Sequence, residues 1–169
     1  MNFDCELSFQ NIRFRYRAGG LITRAGKILL VKSNTGNYYY FIGGGVHVGE
    51  TSEECIIREL QEEVGLELAS CRLVAICENY YNIRNNDTKC MKCHSLEFYY
   101  HSVIDDGTSI KSQTDLEEQL IWVPLNELCH YNIKPHTIVE HIDRILDENS
   151  VVHLVDRSDL NASLIGIVK

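Results

Sequence analysis

Residues 12–17 (IRFRYR) alternate apolar and polar at every step, the period of a β-strand with one apolar face and one face carrying Arg13, Arg15 and Arg17. A solvated sheet surface is the plain reading of that arginine face. The sharper reading has one of these arginines, Arg13 or Arg15, grip a substrate phosphate, because a planar guanidinium meets two phosphate oxygens at once. Residues 19–32 then read as two apolar strands around a turn at 24–27, a hairpin. Residues 38–42 (YYYFI) make a short strand that runs into the glycine-rich stretch GGGVHVGET at 43–51. Two long strands are predicted at 70–81 and 94–104, joined by the polar loop NIRNNDTKCMK. A strand at 119–124, a helical turn at 125–128 and a helix over 135–148 follow, with Ile138, Ile142, Ile145 and Leu146 on one side of that helix. The apolar run at 151–155 fits an edge strand or a contact in a homodimer, and residues 150–169 form an extension with no assigned role. This order of strands, helix, strands and late helix predicts an α/β (α+β) fold, a mixed β-sheet with helices packed on it.

The clearest helix follows the glycine run. Thr51 and Glu54 make a capping box and Gly65 supplies a left-handed stop, so the helix is predicted over 52–64. At about 100° per residue, Ile57, Leu60 and Val64 share one arc, which must meet the sheet. Glu59, Glu62 and Glu63 share a second arc roughly opposite. A solvated acidic face is the usual meaning of such a run, but like charges one turn apart repel by a few tenths of a kcal/mol per pair, roughly. Arg58 is spaced to pair with Glu62 and orient it. An all-oxygen cluster with no His or Cys on its face suits Mg²⁺ or Mn²⁺ better than zinc.

Composition narrows the class. A chain of 169 residues, 44% of them hydrophobic, fits a single domain spanning 1–169 with a substantial core. Its net charge of -8 argues against a nucleic-acid polymer or a membrane surface as partner, so a phosphate compound would arrive with a cation. Acidic residues near the start and the lack of a run approaching ~20 apolar residues predict a cytoplasmic protein. Seven cysteines, an odd number, then read as mostly buried thiols. Cys90, Cys93 and His94 spell C-x-x-C-H, half of a four-ligand zinc site that Cys71 and Cys77 would have to complete; their place in a polar loop disfavours that role.

Read from Gly44, the glycine run has the spacing of a phosphate-cradling loop, G-x-x-x-x-G-K-[ST], with Glu50 where the lysine would stand. A carboxylate there points to phosphate met through metal. Gly44-x5-Glu50-x7-Arg58-Glu59-Leu60-x-Glu62-Glu63-x-Gly65-Leu66 resembles the Nudix hydrolase signature at every fixed position. One departure is Ile42 before the glycine pair, where many members have proline. The resemblance implies an α/β/α sandwich with a catalytic loop-helix. It also implies that Glu59, Glu62 and Glu63, with the carbonyl of Gly44, hold one or more divalent cations, and that Arg58 orients them. Glu50 is either a further acid near the metal or a stabiliser of the loop. Related enzymes often add a base from a later loop; Asp115, Glu117 and Glu118 lie there, and Glu118 is the choice. His47 reads as a surface residue. ADP-ribose specificity in the family goes with a proline about fifteen residues past the signature, and dinucleoside polyphosphate specificity with a tyrosine slightly further on. Here that region offers Tyr80 and Tyr81, either substrate-binding or core residues.

The implied reaction is cation-dependent hydrolysis of a diphosphate bond in a nucleoside diphosphate linked to another group. The alternative is a nucleotide-sensing module of the same fold that binds without turnover. An acidic helix in an unrelated fold is the third reading, and it predicts no affinity for divalent cations.

Overall fold

In the computed structural model, which describes residues 3–84, 90–147 and 150–162, the alternating arginine stretch opens a long strand, β2 (Ile12–Arg24), preceded by β1 (Glu6–Phe9). A turn with Ala25 and Gly26 both at positive φ (46° and 73°) folds β2 onto β3 (Lys27–Lys32), the expected hairpin. The strand expected at 38–42 is divided. β4 (Tyr39–Tyr40) pairs with β3, whereas β5 (Ile42–Gly45) takes in the first glycines and pairs with β2. Gly43 makes this possible: it sits at φ 150°, and a Cβ there would strike the Ala18 carbonyl oxygen.

β6 (Arg72–Arg84) and β7 (Cys90–Val103) pair antiparallel and extend into the stretch expected as loop; residues 85–89 of that stretch lie outside the described residues. β8 (Gln119–Pro124), a 3₁₀ turn at Leu125–His130 and β9 (Ile133–Lys134) follow. The helix expected over 135–148 breaks at His141 (φ -117°) into α2 (His136–Glu140) and α3 (Ile142–Leu146), with Ile138, Ile142 and Ile145 buried. Then come β10 (Val152–Asp156) and α4 (Ser158–Ala162). The apolar run at 151–155 forms β10, an edge strand parallel to β6 that buries Val152, Leu154 and Asp156.

The sheet runs β10-β6-β7-β2-β3-β4-β9, with β1 and β5 also on β2 and β8 on β3. β2 and β7 are parallel while β2 and β3 are antiparallel, so the sheet is mixed. Successive residues of a strand face opposite ways, which splits the apolar residues into two layers. Leu21, Ile28 and Leu30 pack with Ile138 and Ile145 on one side; Ile22, Leu29 and Val31 pack with Ile56 and Leu60 on the other. Helices therefore cover both faces, the expected sandwich.

The helix that carries the acids is α1 (Ser52–Glu59), opened by the capping box of Thr51 and Glu54. Leu60–Val64 continues it as a wider π-type turn, closed by Gly65 at φ 71°. Its buried stripe is Ser52, Cys55, Ile56, Leu60 and Val64. Ile57, expected to face the sheet, is only half-buried, because Ile56 takes the space above Gly20, where no side chain stands.

Candidate active site

Arg58 ties the loop to the helix. Its Nε donates to Glu50 Oε1 at 2.9 Å and its Nη2 to Glu50 Oε2 at 3.1 Å, while Nη1 donates to Glu59 at 2.6 Å and Glu62 at 3.2 Å. Nη2 also reaches the Gly45 carbonyl at 3.2 Å. Glu50 accepts the His47 backbone N–H at 2.9 Å as well, so the carboxylate in the lysine position fastens the loop. Arg58 is the main reason that Glu50 lies below the usual carboxylate range. His47, half-buried rather than free on the surface, stands 3.5 Å from Asp4.

The three helix acids do not share one face. Widening the last turn advances the chain more slowly around the axis, and Glu62 remains exposed while Glu63 turns inward. Glu63 Oε2 is buried with no hydrogen-bond donor. Burial, and then the Glu59 charge, push the Glu63 carboxyl up to about 7. Glu59 packs against Gly44, where a Cβ would overlap its carboxylate. Among the described residues no three His, Cys, Asp or Glu side chains converge into a ready cage. The set nonetheless fits Mg²⁺ or Mn²⁺, which take one or two carboxylates and complete their shell with water and phosphate oxygens. An orphaned, buried carboxylate oxygen next to a second carboxylate, with backbone left bare by glycine, is the arrangement such a cation would satisfy.

Glu63 opens onto a cavity of about 620 Å³ bounded by β2, β6 and β7 and by Lys134 and Asp159. Arg15 and Arg17 line it. Arg17 donates to the Gly43 carbonyl at 3.2 Å and stands within electrostatic reach of Glu97 and Glu59. The arginine face of β2 is therefore a cavity wall, not the solvated surface first expected. Arg13 is the exception: it pairs with Glu6 at 2.7 Å and does not line the cavity. Tyr81 lines it beside Arg15, but Tyr80 does not. Tyr80 stacks on His94 at 4.2 Å, lies under Arg157 and donates to Glu78 at 2.9 Å.

Glu118 borders the cavity, accepting from the Asn34 backbone at 3.0 Å and from the Tyr40 hydroxyl. Asp115 pairs instead with Lys111 at 2.8 Å, and Glu117 sits at φ 60° in the turn that presents Glu118. The C-x-x-C-H pattern lies on β7 rather than in a loop, with Cys90 exposed, Cys93 buried and all seven thiols free. Sequence reasoning missed Asn79, Glu97, Lys134 and Asp159. Period-two spacing with Tyr81 could have found Asn79; the others depend on the fold.

The chain belongs to the NUDIX family: the NUDIX domain model matches residues 13–148. It is 29% identical over 110 residues to the NAD-capped RNA hydrolase NudC of Pseudomonas aeruginosa, covering 64% of this chain and 35% of that protein. It is 36% identical over 64 residues to an RNA pyrophosphohydrolase of Pseudomonas paraeruginosa, covering 38% and 40%. The chain thus spans well under half the length of either. Its fold is similar to that of the MutT protein of Bacillus halodurans, with a TM-score of 0.64 and 17% identity over 82% of this chain and 89% of that one.

Proposed function

We propose that the chain is a Mg²⁺- or Mn²⁺-dependent hydrolase that splits the diphosphate bond of a nucleoside diphosphate derivative. The observation that carries this reading is the buried, unpartnered Glu63 Oε2 at the edge of an arginine-lined cavity. Glu59 and Glu63, with Glu62 and the Gly44 carbonyl alongside, would hold the cation. When bound, it neutralises diphosphate charge and acidifies the attacking water.

The remaining work falls to the chain itself. Arg15 and Arg17 take phosphate oxygens and align the diphosphate. Arg58 keeps Glu59 and Glu62 from turning away. Glu118, oriented by Asn34 and Tyr40, accepts the proton as water adds to one phosphorus and the bridging oxygen leaves with the other. The products are a nucleoside monophosphate and a phosphorylated second group. Free thiols and the net charge of -8 fit a cytoplasmic enzyme acting on small nucleotides rather than on polymers. Among the described residues no helix is long and apolar enough to cross a membrane.

The test is a panel of nucleoside diphosphate sugars, dinucleotides, nucleoside triphosphates and capped RNA 5′ ends, the last because two relatives are named for RNA substrates. Turnover of at least one compound with Mg²⁺ or Mn²⁺, lost in Glu63→Gln, is expected. No metal-dependent turnover on any member overturns the reading, and tight binding without turnover favours the sensing module.

A further inference from the structure

Glu97 lies almost fully buried at the cavity wall and collects three donors. Ser95 Oγ and Tyr99 OH each reach it at 2.5 Å, and Asn79 Nδ2 at 3.1 Å. A carboxylate accepting three hydrogen bonds has a fixed orientation, and it fixes its partners in turn. Because it offers acceptors, it turns the amino half of the Asn79 amide toward itself and the carbonyl half away. Asn79 lines the cavity, and among the described residues no protein donor meets its Oδ1. One N–H and one carbonyl oxygen are therefore held side by side for a ligand.

Tyr81 stands two residues further along the same strand, on the same face and also on the cavity. An aromatic ring beside an edge-reading amide is the equipment for a flat heterocycle, stacked on one and hydrogen-bonded by the other. The order of donor and acceptor selects among the bases. Adenine presents its N6 amino donor beside the N7 acceptor, the complement of an Asn amide. Guanine and hypoxanthine, presented by the same N7 edge, put O6 where that amino group would be and bring acceptor against acceptor. Cytosine can present an amino group beside an acceptor but offers the tyrosine a smaller ring.

We propose that Asn79, oriented by Glu97, reads the amino edge of an adenine base in this cavity, so that the preferred substrates are adenosine diphosphate derivatives. The proposal rests on the reading of the cavity as a nucleotide site. Asn79 is then a specificity residue and Glu97 a positioning residue.

The experiment compares ADP, IDP, GDP and CDP as ligands of the intact chain by calorimetry, with and without Mg²⁺. IDP differs from ADP in the purine only by an oxygen in place of the amino group. ADP is expected to bind about tenfold tighter than IDP or GDP, the discrimination usual for one bidentate pair, and tighter than CDP. Asn79→Leu should bring ADP and IDP to within about twofold of each other, because only ADP loses its paired contact. Glu97→Gln, which frees the amide to turn over, should shrink the same ratio; a purely structural loss would weaken all four ligands together. Equal affinities in the unaltered protein, tighter binding of any other base, no binding of the four, or an ADP to IDP ratio that survives Asn79→Leu overturns the proposal. The base comparison needs no variant to fold. Adenine preference without turnover in the substrate panel would sustain this inference while removing the hydrolase reading; turnover indifferent to the base would do the reverse.

Discussion

Arg58 grips Glu50 with two nitrogens, at 2.9 and 3.1 Å, so the acid that occupies the lysine place of a phosphate loop is bound to the last turn of α1. Removing Glu50 leaves Arg58 with two acids in place of three and leaves the His47 N–H without its partner. Glu50→Ala should cost about 1–3 kcal/mol of stability. Arg58→Lys should not restore the loop, since an ammonium cannot make the paired contact. Urea unfolding of Glu50→Ala, Arg58→Ala and Glu50→Ala/Arg58→Ala, with Arg58→Lys beside them, checks this: coupling between the sites is expected, and strict additivity contradicts it.

Gly43 and Gly44 are adjacent but should fail differently. A Cβ at Gly43 meets backbone, the Ala18 carbonyl, at a φ that side chains rarely adopt. Gly43→Ala should therefore lose stability, by about 1–3 kcal/mol. The atoms nearest a Cβ at Gly44 are the carboxylate end of the Glu59 side chain, which can swing aside. Gly44→Ala should fold and melt close to the unaltered protein, yet lose metal-dependent turnover. Thermal melts beside Mg²⁺ titrations of activity separate the two.

Glu63 combines both demands in one side chain. In chelator its carboxylate is buried beside Glu59 with an oxygen unmet, so Glu63→Gln should melt no lower than the unaltered protein. With Mg²⁺ the order should reverse, because only the carboxylate gains a counter-ion, and turnover of the variant should fall on the order of 10²-fold. Equal Mg²⁺ stabilisation of both proteins would count against Glu63 as a ligand.

Asp156 provides the acid-sensitive joint. Burial alone would raise its proton affinity, but the Ser158 hydroxyl, with the Thr137 and Ser158 N–H groups, outweighs burial and lowers it below 3.8. A depressed folded-state value means that the contribution is present above 3.8 and is lost as pH falls through the lower, folded value. Asp156→Asn should therefore be less stable by a constant margin between about pH 5 and 8, and the margin should close in stronger acid. Urea midpoints followed from neutral pH down into that stronger acid test the sign. A margin that widens in acid would refute it.

Much of this was legible in the residue order. The hairpin at 24–27, the capping box at Thr51 and the stop at Gly65 are local events, set by residues within one turn, and all three formed as read. What failed to follow was long-range. Ile56 displaced Ile57 from the sheet because Gly20, thirty-six residues earlier, left it room. Period arithmetic placed Glu59, Glu62 and Glu63 together, but a π-type turn shifts the phase within a single residue pair and sends Glu62 out and Glu63 in. The division among the three arginines depends on Glu6, which lies on a strand that alternation did not reveal.

β10 lies beyond the stretch that the family model matches, yet pairs with β6 from Val152 opposite Ala75 to Asp156 opposite Asn79. Cut after residue 148, the chain would retain all its signature acids. It would also present the backbone of β6 as a bare row of donors and acceptors, the kind of edge on which a second molecule can add a strand. The segment thus covers the middle of β6, a 13-residue strand, and leaves as the sheet's edge a strand of only 5 residues.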